Sequence, residues 1–258
     1  EDDSDPVTVT INVSAVNDAP VATFSTQQDV NEGSGMAPGQ LTATDVDTGD
    51  EANLIFADTT GGIAGLTINA DGSFMFDTSD AAYEDLDTGD ISTINVTYSV
   101  TDPNSDEGNG AFDIVITGTN DAPVATFTTP QTVAEDAAAI TDTLTATDAD
   151  AGDVLTFTLD AVTDGLTLAG AVWTFDPSDA AYQSLAIGES QIITVNYTVT
   201  DSQNATDQES FEITVTGAND APVATFNTQQ DVNEGSGMAP GQLTATDIDT
   251  GDEANLTF

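Results

Sequence analysis

The sequence contains no lysine, arginine, histidine or cysteine, yet it carries 46 Asp and Glu among 258 residues. Each absence removes a class of chemistry. Nucleic-acid phosphates are gripped by Lys and Arg, so the chain has no electrostatic basis for binding them. Anionic membrane surfaces repel it for the same reason, and no apolar run approaches the roughly 20 residues of a membrane-spanning helix. Nucleophile–base pairs built on His, Lys or Cys are excluded, which leaves a carboxylate pair or a bound metal as the only chemistry. Lack of Cys rules out disulfide stapling but says little about redox compartment, because many exported proteins lack Cys too. No salt bridge between side chains can form. The formal net charge is −46, so a compact fold must draw positive charge from solution, and hard cations with oxygen ligands answer that need.

High net charge with few hydrophobic residues describes disordered chains. Here the hydrophobic fraction is 38 %, and it is patterned. The string Asn-Asp-Ala-Pro-Val-Ala-Thr-Phe occurs at Asn17–Phe24, Asn120–Phe127 and Asn219–Phe226, with starts 103 and 99 residues apart. Other landmarks recur in step: Leu41–Asp50 returns as Leu144–Asp153 and Leu243–Asp252, and Ser79–Tyr83 returns as Ser178–Tyr182. Residues 17–56 and 219–258 differ only at Ser25/Asn227, Val46/Ile248 and Ile55/Thr257, whereas the middle repeat is more divergent, giving an A–B–A order. Internal periods of this kind define tandem arrays. The expected organisation is the C-terminal strand of a preceding repeat at 1–16, complete repeats at 17–119 and 120–218, and the N-terminal part of a third at 219–258. Residue 1 is Glu, and both ends fall inside repeats, so the chain reads as a window on a longer array.

Within each repeat the period is two, as for half-buried strands. Ile94, Val96, Tyr98 and Val100 alternate with polar residues, and Phe112, Ile114 and Ile116 follow. The middle repeat copies this with Ile193, Val195, Tyr197 and Val199, then Phe211, Ile213 and Val215. Val7, Val9, Ile11 and Val13 predict a strand in the opening segment. Only Asp80–Leu86 and Asp179–Leu185 suggest a helical turn. Short strands, Gly/Asp/Asn turns and a period near 100 residues predict an all-β chain of tandem immunoglobulin-like, Greek-key β-sandwich domains. Phe74, Phe76, Tyr98, Trp173 and Phe175 read as core, and Pro123 and Pro222 as stiffeners of the crossings between domains.

Acidic residues recur at fixed places. Asp45, Asp47 and Asp50 form Asp-x-Asp-x-Gly-Asp, matched by Asp148, Asp150 and Asp153 and by Asp247, Asp249 and Asp252. Carboxylates two apart around a Gly-containing turn can converge on one cation, though without the spacing of an EF-hand. Asn-Asp pairs mark the repeat junctions: Asn17 and Asp18, Asn120 and Asp121, Asn219 and Asp220. Asp102 and Asp201 end the long Tyr-containing strand, and Glu32, Glu135 and Glu234 recur early in each repeat. Singly, each is read more simply as a solvated turn. In a sandwich, however, loops at one end approach the linker from the neighbouring domain, so these groups can meet at one junction. Their repulsion would be severe without a metal, and a divalent ion would turn it into attraction.

The series Val-x-Glu, Leu-Thr-Ala-Thr-Asp-x-Asp-x-Gly, Tyr-x-Val-Thr-Asp and Asn-Asp-x-Pro resembles the calcium motifs of cadherin repeats. Leu66-Thr-Ile, Asp71-Gly-Ser-Phe, Trp173-Thr-Phe-Asp-Pro177 and Val215-Thr-Gly-Ala-Asn-Asp-Ala-Pro222 resemble more closely the VCBS/cadherin-like repeats of giant, RTX-type bacterial surface adhesins. The resemblance covers essentially the whole chain. It implies calcium ions held at junctions by Asn17, Asp18, Asp45, Asp47 and Asp102; by Glu32, Asn120, Asp121, Asp148, Asp150 and Asp201; and by Glu135, Asn219, Asp220, Asp247 and Asp249. The chain departs from the cadherin pattern in several places. Gly118 and Gly217 stand where the cadherin linker begins with Asp, Ala122 and Ala221 replace its second Asn, and Glu84 becomes Gln183. Fewer ions per junction than in cadherins are therefore expected.

Three functional readings follow. The leading one is a calcium-rigidified extender of a bacterial surface or secreted adhesin, extracellular, with calcium ions and neighbouring repeats as its partners. The alternative is an adhesive or self-associating array, making homophilic, glycan or host-surface contacts. Catalysis by a pair such as Asp45 and Asp47 ranks last, because a pair repeated in every domain fits a structural device better than an active site.

Overall fold

The computed structural model describes residues 6–226, 228, 230–238 and 240–258. The chain is all-β, with sandwich domains in tandem along it, and divides into two compact units, Glu1–Asn120 and Asp121–Phe258.

Unit 1 contains β1 (Val21–Ala22), β2 (Gln28–Asn31), β3 (Met36–Gln40), β4 (Ala43–Thr44), β5 (Ile55–Asp58), β6 (Leu66–Ile68), β7 (Ser73–Asp77), β8 (Ile91–Thr101) and β9 (Glu107–Thr117). One sheet has the order β2-β9-β8-β5, the other β3-β7-β6, and β1 pairs with β4. Unit 2 repeats the plan with β10 (Val124–Ala125), β11 (Gln131–Ala134), β12 (Ile140–Thr143), β13 (Ala146–Thr147), β14 (Thr156–Leu159), β15 (Leu166–Ala169), β16 (Val172–Phe175), β17 (Ser190–Thr200) and β18 (Thr206–Thr216). Its sheets run β11-β18-β17-β14 and β12-β16-β15. Unit 2 also holds β19 (Val223–Ala224) and β20 (Ala245–Thr246), which pair in the register of β1 with β4.

The period-two residues fill the cores. In unit 1, Val96, Tyr98, Val100, Phe112, Ile114 and Ile116 pack with Phe74, Phe76 and Leu41. In unit 2, Val195, Tyr197, Val199, Phe211, Ile213 and Val215 pack with Trp173, Phe175 and Leu144. Burying each such side chain stabilises by about 1.5–3 kcal/mol. Phe24 meets Phe112 edge-on with ring centroids 5.0 Å apart, and Phe127 meets Phe211 at 5.1 Å. The buried Tyr98 and Tyr197 hydroxyls are satisfied by donating to the Phe24 and Phe127 carbonyls.

One expectation is corrected. No strand forms at Val7–Val13, whose apolar side chains are exposed. Strand backbone groups need a partner ladder, and no strand pairing among the described residues involves them. The stretches Asp80–Leu86 and Asp179–Leu185, expected to hold a helical turn, are successive turns in which Tyr83 and Tyr182 donate N–H three residues back to the Asp80 and Asp179 carbonyls.

Strand direction fixes which residues share an end of each sandwich. β2 runs parallel to β9, so both finish at the same end. Glu32, which follows β2, therefore lies beside the linker that follows β9. β8 is antiparallel to β9, so the hairpin loop Asp102–Asp106 lies at the opposite end, about 30 Å away by strand rise. β5 starts at that opposite end, opposite Thr101, and β1 and β4 bring Asp18 and Asp45 to it. Each repeat thus has an acid-rich entry end and a single buried Glu at its exit end.

Candidate metal centres

The entry-end loop is built the same way three times. The first Asp of the Asp-x-Asp loop turns back on the chain: Asp45 Oδ1 accepts the Asp47 N–H (2.8 Å), Asp148 Oδ1 the Asp150 N–H (3.1 Å) and Asp247 Oδ1 the Asp249 N–H (3.1 Å). The second Asp accepts the N–H of the linker Asp: Asp18 to Asp47 Oδ2 (2.7 Å), Asp121 to Asp150 Oδ2 (2.7 Å) and Asp220 to Asp249 Oδ2 (2.8 Å). The local fold thereby engages one oxygen of each carboxylate.

The hairpin Asp closes the cluster. Asp102 Oδ1 accepts the Asn104 and Asp106 N–H groups, and Asp201 Oδ1 accepts those of Gln203 and Ala205. Asn17 donates from Nδ2 to Asp102 Oδ2 and to Asp106 Oδ2, each at 2.7 Å, while its own Oδ1 accepts from Asn104.

Three groups of acids have carboxylate oxygens within 4.8 Å of one another: Asp45, Asp47 and Asp50; Asp148, Asp153 and Asp201; and Glu135, Asp220 and Asp249. The third group joins the exit Glu of repeat 2 to the linker and loop that follow it, all within unit 2. Asp247 and Asp252 lie outside that group; Asp252 begins a short 3-10 turn, Asp252–Asn255. Asn219 turns its Nδ2 to the Asp220 carbonyl. Glu32 and Asn120 belong to unit 1, where Glu32 Oε2 accepts the Thr119 N–H at 3.0 Å. Glu234 is exposed.

Electrostatics follow from the crowding. Burial, then Asp153, Asp201 and Asp121 nearby, pushes the Asp148 pKa up, against a hydrogen bond from Asp150. Burial, then Asp136, Asp249 and Asp247, pushes Asp220 up. Desolvation with Asp45, Asp102 and Asp47 does the same to Asp50. Asp102 moves down, chiefly because Asn17 donates to it. Glu135 is 0 % exposed and Asp249 3 %, and in residues 219–258 Asp249 is the sole buried residue among those described.

These residues suit a hard divalent cation. The donors are all oxygens. Asp45 Oδ2, Asp148 Oδ2, Asp153 Oδ2, Asp220 Oδ2 and Asp249 Oδ1 are buried without a hydrogen-bond donor. Buried charge without a partner costs several kcal/mol per ion, so the arrangement is unfavourable until positive charge enters it.

Sequence reasoning missed two contributors. Asp106 and Asn104 sit in the polar hairpin loop, four and two residues after Asp102, a spacing that could have flagged them. Gly118 and Gly217, departures from the cadherin linker, have a packing cause. A Cβ on Gly118 would lie 2.3 Å from the Asp87 carbonyl oxygen, and one on Gly217 2.2 Å from that of Ala186.

The fold is that of immunoglobulin- and cadherin-like repeats. Residues 120–214 match a family described as "Bacterial Ig domain". No curated protein sequence matches the chain. Among solved structures, human CDH23 EC21-23 is similar with a TM-score of 0.52 and 18 % identity, over 91 % of this chain and 82 % of that one. Mouse Cadherin-23 EC22-24 aligns with a TM-score of 0.49 and 18 % identity, over 92 % and 80 %. Protocadherin Gamma B7 extracellular cadherin domains 1-4 align at 0.47 and 17 % identity; the alignment covers 91 % of this chain and spans 61 % of that fragment's length. The next two protocadherin fragments are spanned over only 50 % and 48 % of theirs.

Proposed function

We propose that the chain is a calcium-stiffened extender segment of a large bacterial surface or secreted adhesin, acting outside the cell to hold a binding element away from its origin. One observation carries this reading. Carboxylate clusters drawn from the repeated loop, hairpin, linker and exit positions, in different combinations, recur at the sandwich ends, with buried oxygens that no donor satisfies, in a chain that has no cationic side chain of its own. Asp45, Asp47, Asp50, Asp102 and Asp106 with Asn17 and Asp18 would hold calcium at the first entry end. Asp121, Asp148, Asp150, Asp153 and Asp201 would do so at the second, and Glu32 and Asn120 would be calcium ligands at the exit end of repeat 1. Glu135, Asp220 and Asp249, with Asn219, Asp247 and Asp252 around them, would do so at the third.

Extracellular modules bind calcium with dissociation constants of about 10⁻⁴–10⁻³ M, which suits millimolar surroundings. The ion would supply the positive charge that the acids lack and lock loop to linker. An 11-residue strand such as β8 spans roughly 35 Å, so each repeat would add a few nanometres of reach. Calorimetric titration of the chelated chain with calcium tests the reading: saturable binding in the millimolar-to-submillimolar range is expected, and the absence of any binding heat together with an unchanged melting temperature would overturn it.

A further inference from the structure

The two sheets of unit 2 part along one side, between the edge strands β14 and β15. A groove of about 480 Å³ lies there, lined by Phe157, Leu159, Val162, Leu166 and Leu168 and rimmed by Asp160. Val162 is 100 % exposed. The Asp160 N–H donates to the Asn196 carbonyl at 3.1 Å, which sets the phase of the ladder between β14 and β17. Residues of an antiparallel strand alternate between bonding across the ladder and pointing away from it. Thr156, Thr158 and Asp160 therefore bond to β17, and the N–H and C=O groups of Phe157 and Leu159 face the open edge. Among the described residues, no backbone carbonyl accepts the Phe157 N–H.

Unit 1 closes the same place. Phe56 pairs with Val100 as Phe157 pairs with Val199, and its N–H donates to the Ala70 carbonyl at 3.0 Å. Ala70 lies in the loop between β6 and β7, residues 69–72, whereas β15 and β16 are joined by Gly170 and Ala171 alone. The shorter turn brings no carbonyl across. The side chains change in step. Asp58 pairs with Tyr98 where Leu159 pairs with Tyr197, and Gly61 and Gly62 occupy the loop that carries Val162 in unit 2. Repeat 2 thus exchanges an acid for a leucine and glycine for an exposed valine, around an edge left unbonded. Exposed edges are ordinarily blunted by charge or covered, and an open one beside apolar pockets suits strand addition.

We propose that this groove docks an extended peptide segment of a partner protein, added as a strand to β14, in which apolar side chains alternate with Lys or Arg. The alternation follows from the pleat. Side chains of the added strand on the face of Phe157 and Leu159 enter the groove. Those on the other face lie beside Thr158 and Asp160, where a cation meets a carboxylate. The net charge of −46 favours a cationic partner and opposes a second copy of the same chain. The site goes beyond the extender role, places a binding surface on repeat B, and stands whether or not calcium fills the acidic clusters.

The test uses the whole chain at about 0.15 M salt, where long-range attraction is screened. A fluorescent peptide of alternating Val and Lys is titrated by anisotropy, beside its Val/Glu counterpart and a peptide of the same composition with Val and Lys in separate blocks. Saturable binding is expected for the alternating Val/Lys peptide, tighter than for the block peptide, with none for the Glu form. Val162→Asp and Leu159→Asp each add negative charge, yet each should weaken that binding by about tenfold. Val162 is fully exposed, so its replacement leaves the fold intact. Amide exchange gives an independent reading: the Phe157 and Leu159 N–H groups gain protection on binding, and the Phe56 N–H, already bonded, does not change. Affinity that rises in the two variants, or that is equal for the block peptide, would reduce the attraction to bulk charge and overturn the site. A dimer of the chain alone in sedimentation, dissolved by Val162→Asp, would overturn it too, because the occupant would then be a second copy.

Discussion

The hairpin loops of the two repeats share a backbone and differ in charge. Ser105 and Asn204 occupy the same left-handed position, with φ of 77° and 72°. In both loops one Asp oxygen gathers two N–H groups, at 2.8 and 3.0 Å in unit 1 and at 2.9 and 2.8 Å in unit 2. The turn in unit 2 forms with Ala205 where unit 1 has Asp106. The turn geometry therefore has no need of the extra acid, whose Oδ2 accepts from Asn17, and the proposed calcium site would give it a role. The exit ends show the converse, since Gln183 satisfies two carbonyls where Glu84 leaves an oxygen unpaired. Repeat A is thus the more charged design, and under the proposed function it would be the more cation-dependent one.

Several measurements can break or sharpen that comparison. Removal of calcium has the largest expected effect, because each filled site stabilises by about 2.7 kcal/mol when free calcium is a hundredfold above its dissociation constant. Calorimetric melts should show a fall in melting temperature in chelator for both units, since unit 1 holds one of the acidic groups and unit 2 two. A unit whose melting does not respond would lose its place in the calcium reading. Glu135→Ala comes next. It orphans the Ala218 and Leu185 N–H groups, which donate to the Glu135 carboxylate, at about 1–3 kcal/mol each, and lowers stability even in chelator, as urea unfolding would show. Glu135→Gln should retain much of that stability and still weaken calcium binding, which separates the structural role from the ligand role.

Gly118→Ala and Gly217→Ala should each cost about 1–3 kcal/mol through overpacking against a carbonyl. The loss should be alike in the two repeats, since both glycines meet the same turn, and denaturant midpoints give the check. Asp106→Ala, which converts the repeat 1 loop to the repeat 2 form, should weaken the calcium affinity of that cluster by about tenfold, ~1.4 kcal/mol. It should not lower stability in chelator, and a drop there would mean that Asp106 serves the fold after all.

The smallest effect concerns Asp71 and Asp176, whose pKa values are held low by Ser73 and Ser178, whose hydroxyls donate to them. A depressed folded-state value gives stability that is present above the unfolded pKa and is lost as pH falls through the folded one. Ser73→Ala and Ser178→Ala should therefore lower stability slightly at neutral pH, with the loss vanishing as pH falls below the folded-state pKa values, so that the acid limb of the pH–stability curve is shallower to the same extent in both units.

Much of the fold was legible because burial imposes a period of two: Ile94 to Val100 and Phe211 to Val215 lie where alternation placed them. Val7 to Val13 has the same pattern and forms no strand, since alternation records a preference for one face and says nothing about whether a ladder partner is present. The loop acids Asp45, Asp148 and Asp249 could be read from spacing, as their geometry is local. What escaped was non-local. Thr250 meets Ser184 across 66 residues, and no pattern in either stretch announces the pair. Gly118 and Gly217 looked like lost ligands, whereas their cause is the approach of a carbonyl that only the folded turn provides.

Small-angle X-ray scattering of the whole chain, first in millimolar calcium and then with excess EGTA, tests the central claim most directly. The account predicts an extended particle in calcium whose maximum dimension falls and whose profile takes on the signature of flexible joints after chelation, restored when calcium returns. A profile that is the same in both solutions would contradict it.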